Sequence, residues 1–317
     1  MLDTLATNPE LVSWWQAAIL GLVEGITEYL PVSSTGHLII ASALMGLDEP
    51  PAQKAAVDAF NIVIQGGAIL AVLGLYRVRV AQMIRGLLGR DAAGLKLAIN
   101  LIIAFLPAAV FGVLFDDAIE ARLFYAGPVL GALFVGGILM IAIDRWKIRP
   151  QMKDPDAPGA VDLMSLTWRM ALFIGFMQCL AMWPGTSRSM MTIVAGVLIG
   201  LKPRQAAEFS FLLGLPTLGG ACVYKLGKNL ADADANMFDL IGPMPIIVGI
   251  LVATVSAAVA IRWLVGFLTK HGLTVFGIYR IILAVVLGVL WQVGIVNISP
   301  GAPEEPALET TLPELMP

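Results

Sequence analysis

The chain has 317 residues, 58% of them hydrophobic and only 14% charged, with a mean hydropathy of +0.84 and a formal net charge of −3. Soluble domains carry about 25% charged residues, so this composition excludes a water-soluble globule and points to a polytopic membrane protein. Cys179 and Cys222 both lie inside apolar segments, far apart, which excludes a disulfide framework or a thiolate metal site as the organising principle.

Met1 to Gln16 contains Asp3 and Glu10 but no Lys or Arg, so no cleavable signal peptide is expected there. Measured against the ~20 residues that cross a bilayer, the first apolar stretch is broken into 13–30 and 35–47 by the turn Pro31 to Gly36. Uninterrupted runs follow at 57–76, 97–115 and 125–144. The polar stretch Arg145 to Asp162 reads as a loop. A second broken pair, 169–183 and 188–201, precedes runs at 206–226, 240–261 and 275–295. Residues 299–317, rich in Pro and Glu, predict a disordered acidic tail.

The same plan is thus written twice, as one interrupted hairpin followed by three spans. Gly21-Leu22-Val23-Glu24 aligns with Gly175-Phe176-Met177-Gln178, and Gly46-Leu47 with Gly200-Leu201, at one constant offset. An odd number of spans per half inverts the second half. Positive charges agree, because cytoplasmic loops collect Lys and Arg. With both hairpins re-entrant, one face receives Arg77 to Lys96, Arg145 to Arg169, Lys202 with Arg204, and Arg262 with Lys270. The other receives Asp48, Glu49, Asp116, Asp117, Glu120, Asp232 and Asp234. The expected fold is an all-α integral membrane protein with an inverted-topology repeat, six transmembrane helices and two re-entrant hairpins. Residues 1–162 hold the first repeat (hairpin 13–47) and its cytoplasmic loop. Residues 163–298 hold the second (hairpin 169–201), and 299–317 the tail. Transporters use such repeats, with sites at the repeat interface near the midplane.

Glu24 and Glu28, spaced i, i+4, share one helix face and repel unless protonated, hydrogen-bonded or bridged by a cation. A hard divalent cation takes oxygen ligands, so the pair is a candidate metal site or acid/base pair. Pro31 ends the first half-helix, and Ser33, Ser34 or Thr35 caps the next, whose free N–H groups suit phosphate. Pro184-Gly185-Thr186-Ser187-Arg188-Ser189 repeats the device and adds a guanidinium, a bidentate fork for phosphate oxygens. His37 is a candidate proton carrier or cap. Gln65 and Glu208 are weaker candidates for the same cavity. Arg280 reads as a residue that snorkels from the inner end of the last span, and His271 as a loop residue. Gly66-Gly67, Gly136-Gly137 and Gly219-Gly220 read as close-packing sites. No Walker loop, dinucleotide fingerprint or H-E-x-x-H is present.

Glu24-Gly-Ile-Thr-Glu28-Tyr-Leu-Pro-Val-Ser-Ser-Thr-Gly-His37 resembles the glutamate-rich motif of the undecaprenyl-diphosphate phosphatase family of the bacitracin-resistance type. Pro184-Gly-Thr-Ser187-Arg188-Ser189-Met-Met-Thr192 is similar to that family's second motif, and the resemblance runs through the Tyr279-Arg280 pair. It implies a multi-pass enzyme of the bacterial plasma membrane, with its site on the extracytoplasmic side. That enzyme removes the terminal phosphate of a C55 polyprenyl diphosphate and thereby recycles the lipid carrier of cell-wall synthesis. It also implies a divalent cation, Mg²⁺ or Ca²⁺, on Glu24 and Glu28. By motif position, Glu24, Glu28, Ser34, His37 and Arg188 become the catalytic candidates. Ser33, Thr35, Ser187, Arg188, Ser189 and Thr192 become the substrate-binding ones. The partners are then the lipid diphosphate and the bilayer; nothing in the sequence specifies an oligomer or a nucleic acid. The competing reading is a transporter or flippase of a phosphorylated lipid or anion.

Overall fold

The computed structural model describes residues 11–48, 51–150, 161–231 and 241–298. Two short helices come first, α1 (Trp14–Thr27) and α2 (Ser34–Leu44). They are followed by α3 (Pro51–Leu75), α4 (Arg77–Leu87), α5 (Ala92–Leu123) and α6 (Ala126–Ile143). The second half opens with another short pair, α7 (Trp168–Cys179) and α8 (Arg188–Leu198). It continues with α9 (Pro203–Ala231), α10 (Pro243–His271) and α11 (Thr274–Gln292). No strand occurs among the described residues, only an isolated bridge between Val161 and Leu201. In a lipid solvent this is the expected outcome, since a helix satisfies its own backbone N–H and C=O groups.

Six helical stretches are long and apolar enough to cross a membrane: Ala56–Leu75, Ala92–Phe115, Ala126–Ile148, Pro203–Tyr224, Pro243–His271 and Thr274–Gln292. The chain is an all-α, multi-pass membrane protein. Helices α1 and α2 hold 14 and 11 residues, and α7 and α8 hold 12 and 11. At 1.5 Å per residue each reaches only about 16–21 Å, short of a ~30 Å hydrocarbon core.

The basic stretch from Arg77, expected as loop, contains helix α4 instead. Its arginines lowered the hydropathy, yet its buried edge is apolar and small. Gly86 lies so close to α5 that a β-carbon there would sit 2.1 Å from the Leu95 nitrogen. Two further expectations are corrected. Arg280 does not snorkel: it is fully buried, and its Nη2 donates to the carbonyls of Ala132 (3.1 Å) and Gly185 (2.7 Å). His271 is the last residue of α10 and stacks on Phe267, with centroids 4.4 Å apart. The predicted tail, 299–317, lies outside the described residues.

Packing follows an exchange pattern. Helix α1 packs on α10, and α7 on α5; α3 packs on α10, and α9 on α5; α3 meets α9, and α6 meets α11. Swapping the two halves maps this set onto itself. Glycines set the closest crossings. A β-carbon on Gly21 would lie 2.4 Å from the Gly249 carbonyl oxygen, and one on Gly175 2.6 Å from that of Ala104. These are the two glycines that align between the halves. Gly137 and Gly277 bring α6 and α11 together in the same way. Backbone contact of this kind supplies dispersion where lipid offers no hydrophobic drive.

Polar ties mark the ends of the bundle. Gln16 Nε2 donates to the Met45 carbonyl (3.3 Å), joining the open end of the α1–α2 hairpin. At the opposite, basic end Arg79 pairs with Glu208 (2.7 Å) and Lys96 reaches the Met164 carbonyl (3.0 Å). Asp144 there accepts from the Leu273 amide (2.9 Å), Thr274 Oγ1 and Arg149.

Gly21→Ala is expected to destabilise the detergent-solubilised protein by about 1–3 kcal/mol, the usual cost of overpacking. Gly74→Ala, where a β-carbon meets nothing within 4 Å, is expected to leave the thermal midpoint unchanged or raise it slightly. Equal midpoints for wild type and Gly21→Ala would show that the α1–α10 crossing is not close-packed.

Candidate active site

Both short hairpins turn in the same unusual way. Ser33 (φ 72°) and Ser187 (φ 74°) have positive φ, alone among the described non-glycine residues, and each immediately precedes a helix start. A non-glycine residue held there costs on the order of 1–3 kcal/mol, a strain that clusters at functional turns. Each of these serines stands at the kink between the two short helices of its hairpin. Ser187 Oγ accepts from the Met190 amide (3.3 Å), whereas Ser33 makes no side-chain cap bond.

The two turns meet at an ion pair. Arg188, from the second hairpin, places Nη2 3.1 Å from Glu28 Oε1 on the first, and both side chains are nearly buried. Arg188 Nη1 also donates to the Ser210 carbonyl (3.0 Å), and the guanidinium lies over the Tyr29 ring, 5.7 Å from its centroid. Gly214 leaves the room: a β-carbon there would sit 3.3 Å from both terminal nitrogens of Arg188. The second oxygen of Glu28 accepts from Ser34 Oγ at 2.8 Å. One carboxylate therefore grips the arginine and the serine together.

Glu24, one turn earlier on α1, is fully buried, and neither of its oxygens has a hydrogen-bond partner. A bare carboxylate in such a place is costly unless it is protonated or meets a cation. Its oxygen donors, one turn from those of Glu28, suit a hard divalent cation. No third His, Cys, Asp or Glu joins them among the described residues. A cation held here would complete its shell with water and phosphate oxygens.

Other expected site residues take distinct places. Ser189, fully buried, donates to the Leu30 carbonyl (2.9 Å) and lies 3.1 Å from Ser187 Oγ, fastening the second turn to the first. Thr192 Oγ1 bonds back to the Arg188 carbonyl (2.9 Å) and to Ser210 Oγ (2.6 Å), which stiffens the segment carrying the arginine. His37 does not bond to Ser34. Its Nδ1 lies 2.7 Å from the Ser33 carbonyl and its Nε2 2.6 Å from the Tyr279 hydroxyl, with the two rings parallel within 4°. Glu208, committed to Arg79, is outside the site.

Helix α2 separates two spaces. On one side a polar cavity of about 350 Å³ is lined by Ser34, Thr35, Ser42, Asn61 and Gln65. Asp48, Phe124 and Ile298, which also line it, lie at or beyond the helix ends away from the basic segment Arg77–Leu87. On the other side an apolar groove of about 820 Å³, lined by Leu22, Ile26, Leu30 and Trp263, reaches His37 and Tyr279. Sequence reasoning missed Tyr29, Ser210, Gly214 and Tyr279. Each acts through its position across the bundle, and only the adjacent polar pair Tyr279-Arg280 in an apolar run offered a signal.

The family model described as bacitracin resistance protein BacA matches residues 17–286, a stretch that contains both turns and Tyr279-Arg280. The chain is 47% identical over 281 residues to an undecaprenyl-diphosphatase of Sorangium cellulosum, covering 88% of this chain and 86% of that one. It is 47% identical over 292 residues to undecaprenyl-diphosphatase 2 of Rhodospirillum rubrum, covering 92% and 99%. An undecaprenyl-diphosphatase of Azotobacter vinelandii is 44% identical over 285 residues, covering 90% and 96%. With a family model spanning most of its length and relatives this similar end to end, the chain belongs to the BacA bacitracin-resistance family.

Proposed function

We infer that this chain is an integral membrane phosphatase that hydrolyses undecaprenyl diphosphate to the monophosphate and inorganic phosphate. This reaction recycles the lipid carrier of cell-wall synthesis and opposes bacitracin. The observation that carries the chemistry is the Glu28 carboxylate shared between Arg188 and Ser34 at the meeting of two helix starts. A guanidinium and free backbone N–H groups form the donor set that a diphosphate needs.

In this reading the diphosphate enters the polar cavity and its chain lies in the apolar groove, crossing the turn at Val32–Ser33. Arg188 and the first turns of α2 and α8 hold the phosphate oxygens. Ser34 Oγ attacks the terminal phosphorus, its proton passes to Glu28 Oε2, and the bridging P–O bond breaks to release the lipid monophosphate. Water then attacks the phosphoserine, the proton on Glu28 returns to Ser34 Oγ, and phosphate leaves. Glu28 rather than His37 is in place for that transfer, since His37 faces the groove. Glu24 with Glu28 would hold a divalent cation, Mg²⁺ or Ca²⁺, which would supply charge neutralisation when bound.

The hairpins are read as re-entrant and the halves, 1–162 and 163–298, as an inverted repeat. The short hairpin helices, the matching positive-φ serines and the exchange pattern of packing support this. The basic clusters put Arg77–Lys96 in the cytoplasm of the bacterial cell. A cavity lined by Asp48, Phe124 and Ile298 is then read as opening on the extracytoplasmic side of the plasma membrane.

Purified protein with Mg²⁺ or Ca²⁺ is expected to release phosphate from a polyprenyl diphosphate, and chelation to stop it. Arg188→Lys keeps the charge but loses the planar fork and one of its two anchors, so its rate is expected to fall about 100-fold or more. Ser34→Ala should fall at least as far. Full activity in excess chelator would remove the cation, and near-normal turnover of Ser34→Ala would make water the nucleophile. No phosphate release with intact lipid binding would move the protein to the transporter class.

Sidedness is read by impermeant thiol labelling of intact cells, in a background with Cys179 and Cys222 replaced. Asp48→Cys is expected to react and Arg90→Cys to stay unlabelled. The opposite pattern would invert the topology and the outward-facing site with it.

A further inference from the structure

Helix α11 places two adjacent polar side chains in its apolar length, and they reach different hairpins. Tyr279 meets His37 on α2, while Arg280 bonds the Gly185 carbonyl in the turn that leads to Ser187 and Arg188. The contact with His37 determines more than position. The Ser33 carbonyl can only accept, so the neutral imidazole carries its proton on Nδ1. Nε2 is then the bare nitrogen and accepts from the Tyr279 hydroxyl. The parallel rings, 5.6 Å between centroids, hold the imidazole plane as well.

Arg280 is a different kind of tie. It is fully buried, no carboxylate pairs with it among the described residues, and both of its bonds run through Nη2. The carbonyls it joins belong to α6 and to the second turn. Gly136 makes room for it, since a β-carbon there would lie 2.5 Å from Nη2. Gly185 itself has φ 90°, a backbone conformation that glycine adopts freely and other residues do not. A guanidinium kept in the protein interior at considerable cost, for the sake of two carbonyls, is hard to account for as filler.

We propose that Tyr279 and Arg280 are positioning residues that register the two half-sites against each other: Tyr279 fixes the plane of His37 and, through the imidazole's bond to the Ser33 carbonyl, the turn that presents Ser34, and Arg280 fixes the turn that presents Arg188. The proposal rests on the phosphatase reading for the kinetic roles of Ser34 and Arg188. The bond that defines Tyr279's part is read without activity.

The chain has two histidines, so His271→Gln leaves His37 as the only imidazole. In ¹⁵N-histidine-labelled full-length protein in micelles, the neutral ring is expected to show one tautomer, protonated at Nδ1. Tyr279→Phe keeps the stacked ring and removes the hydroxyl; it is expected to keep the Nδ1–H tautomer held by the Ser33 carbonyl and to move the bare Nε2 resonance toward that of a nitrogen without a hydrogen bond. Its kcat should fall about 10- to 100-fold, as for a misplaced catalytic group, with KM within about twofold of wild type. For Arg280 the split reverses. Arg280→Met should raise KM about tenfold or more, and Arg280→Lys, whose ammonium can still donate to both carbonyls, should recover much of it. Gly136→Ala, which crowds the guanidinium without removing it, should raise KM in the same direction. It serves in place of Arg280→Met if that variant does not fold. An unmoved Nε2 resonance in Tyr279→Phe with unchanged kcat, or wild-type KM in both Gly136→Ala and folded Arg280 variants, would overturn the proposal. A protein that releases no phosphate but shows the Nε2 shift would fail the proposed function while leaving the Tyr279–His37 tie in place.

Discussion

The structure depends on one buried ion pair, Glu28 with Arg188, formed between residues 160 positions apart. Removing one partner of such a pair leaves an uncompensated charge, at a cost of about 3–5 kcal/mol, so the pair constrains any packing of the two halves. It brings together two half-helix starts, neither of which is a site alone. The first contributes carboxylates and a serine; the second contributes a guanidinium. Ser189 on the Leu30 carbonyl and Thr192 on Ser210 then hold that contact in register.

An amphiphilic lipid diphosphate presents two incompatible demands, a polar site for its head and an apolar one for its chain. Helix α2 meets both by carrying Ser34, Thr35 and Ser42 toward one space and His37, Ile40 and Leu44 toward the other. This gives a physical reason for a broken helix in a membrane: an unbroken one would have no free N–H groups at mid-depth to offer a phosphate.

Much of this was legible in the residues. Hydropathy located the six spans, and the interruptions at Pro31 and Pro184 located the hairpins, because apolar run length and proline act locally. The offset linking Gly21 to Gly175 pointed to a repeated plan; that both glycines make close helix approaches came from the structure. Long-range pairing was not legible. Nothing near Arg280 in sequence shows that Gly136 has cleared a place for it inside the bundle, so a position near a helix end suggested snorkelling. His37 read as a proton carrier or cap, and nothing in the sequence showed that helical geometry turns it onto Tyr279. Helix α4 was missed because its arginines masked an edge of Met83 and Gly86 that buries against α5.

The central claim is that Glu28 and Arg188 act as one unit in a site built from both halves. A double-mutant cycle with Glu28→Gln, Arg188→Gln and the double variant, read in kcat/KM and in thermal stability, tests it most directly. The account predicts strong non-additivity: each single variant is severely impaired, and the double is no worse than the poorer single, because the stranded charge is gone. Additive losses in both readouts would mean that the two residues work independently, and the composite site would fall.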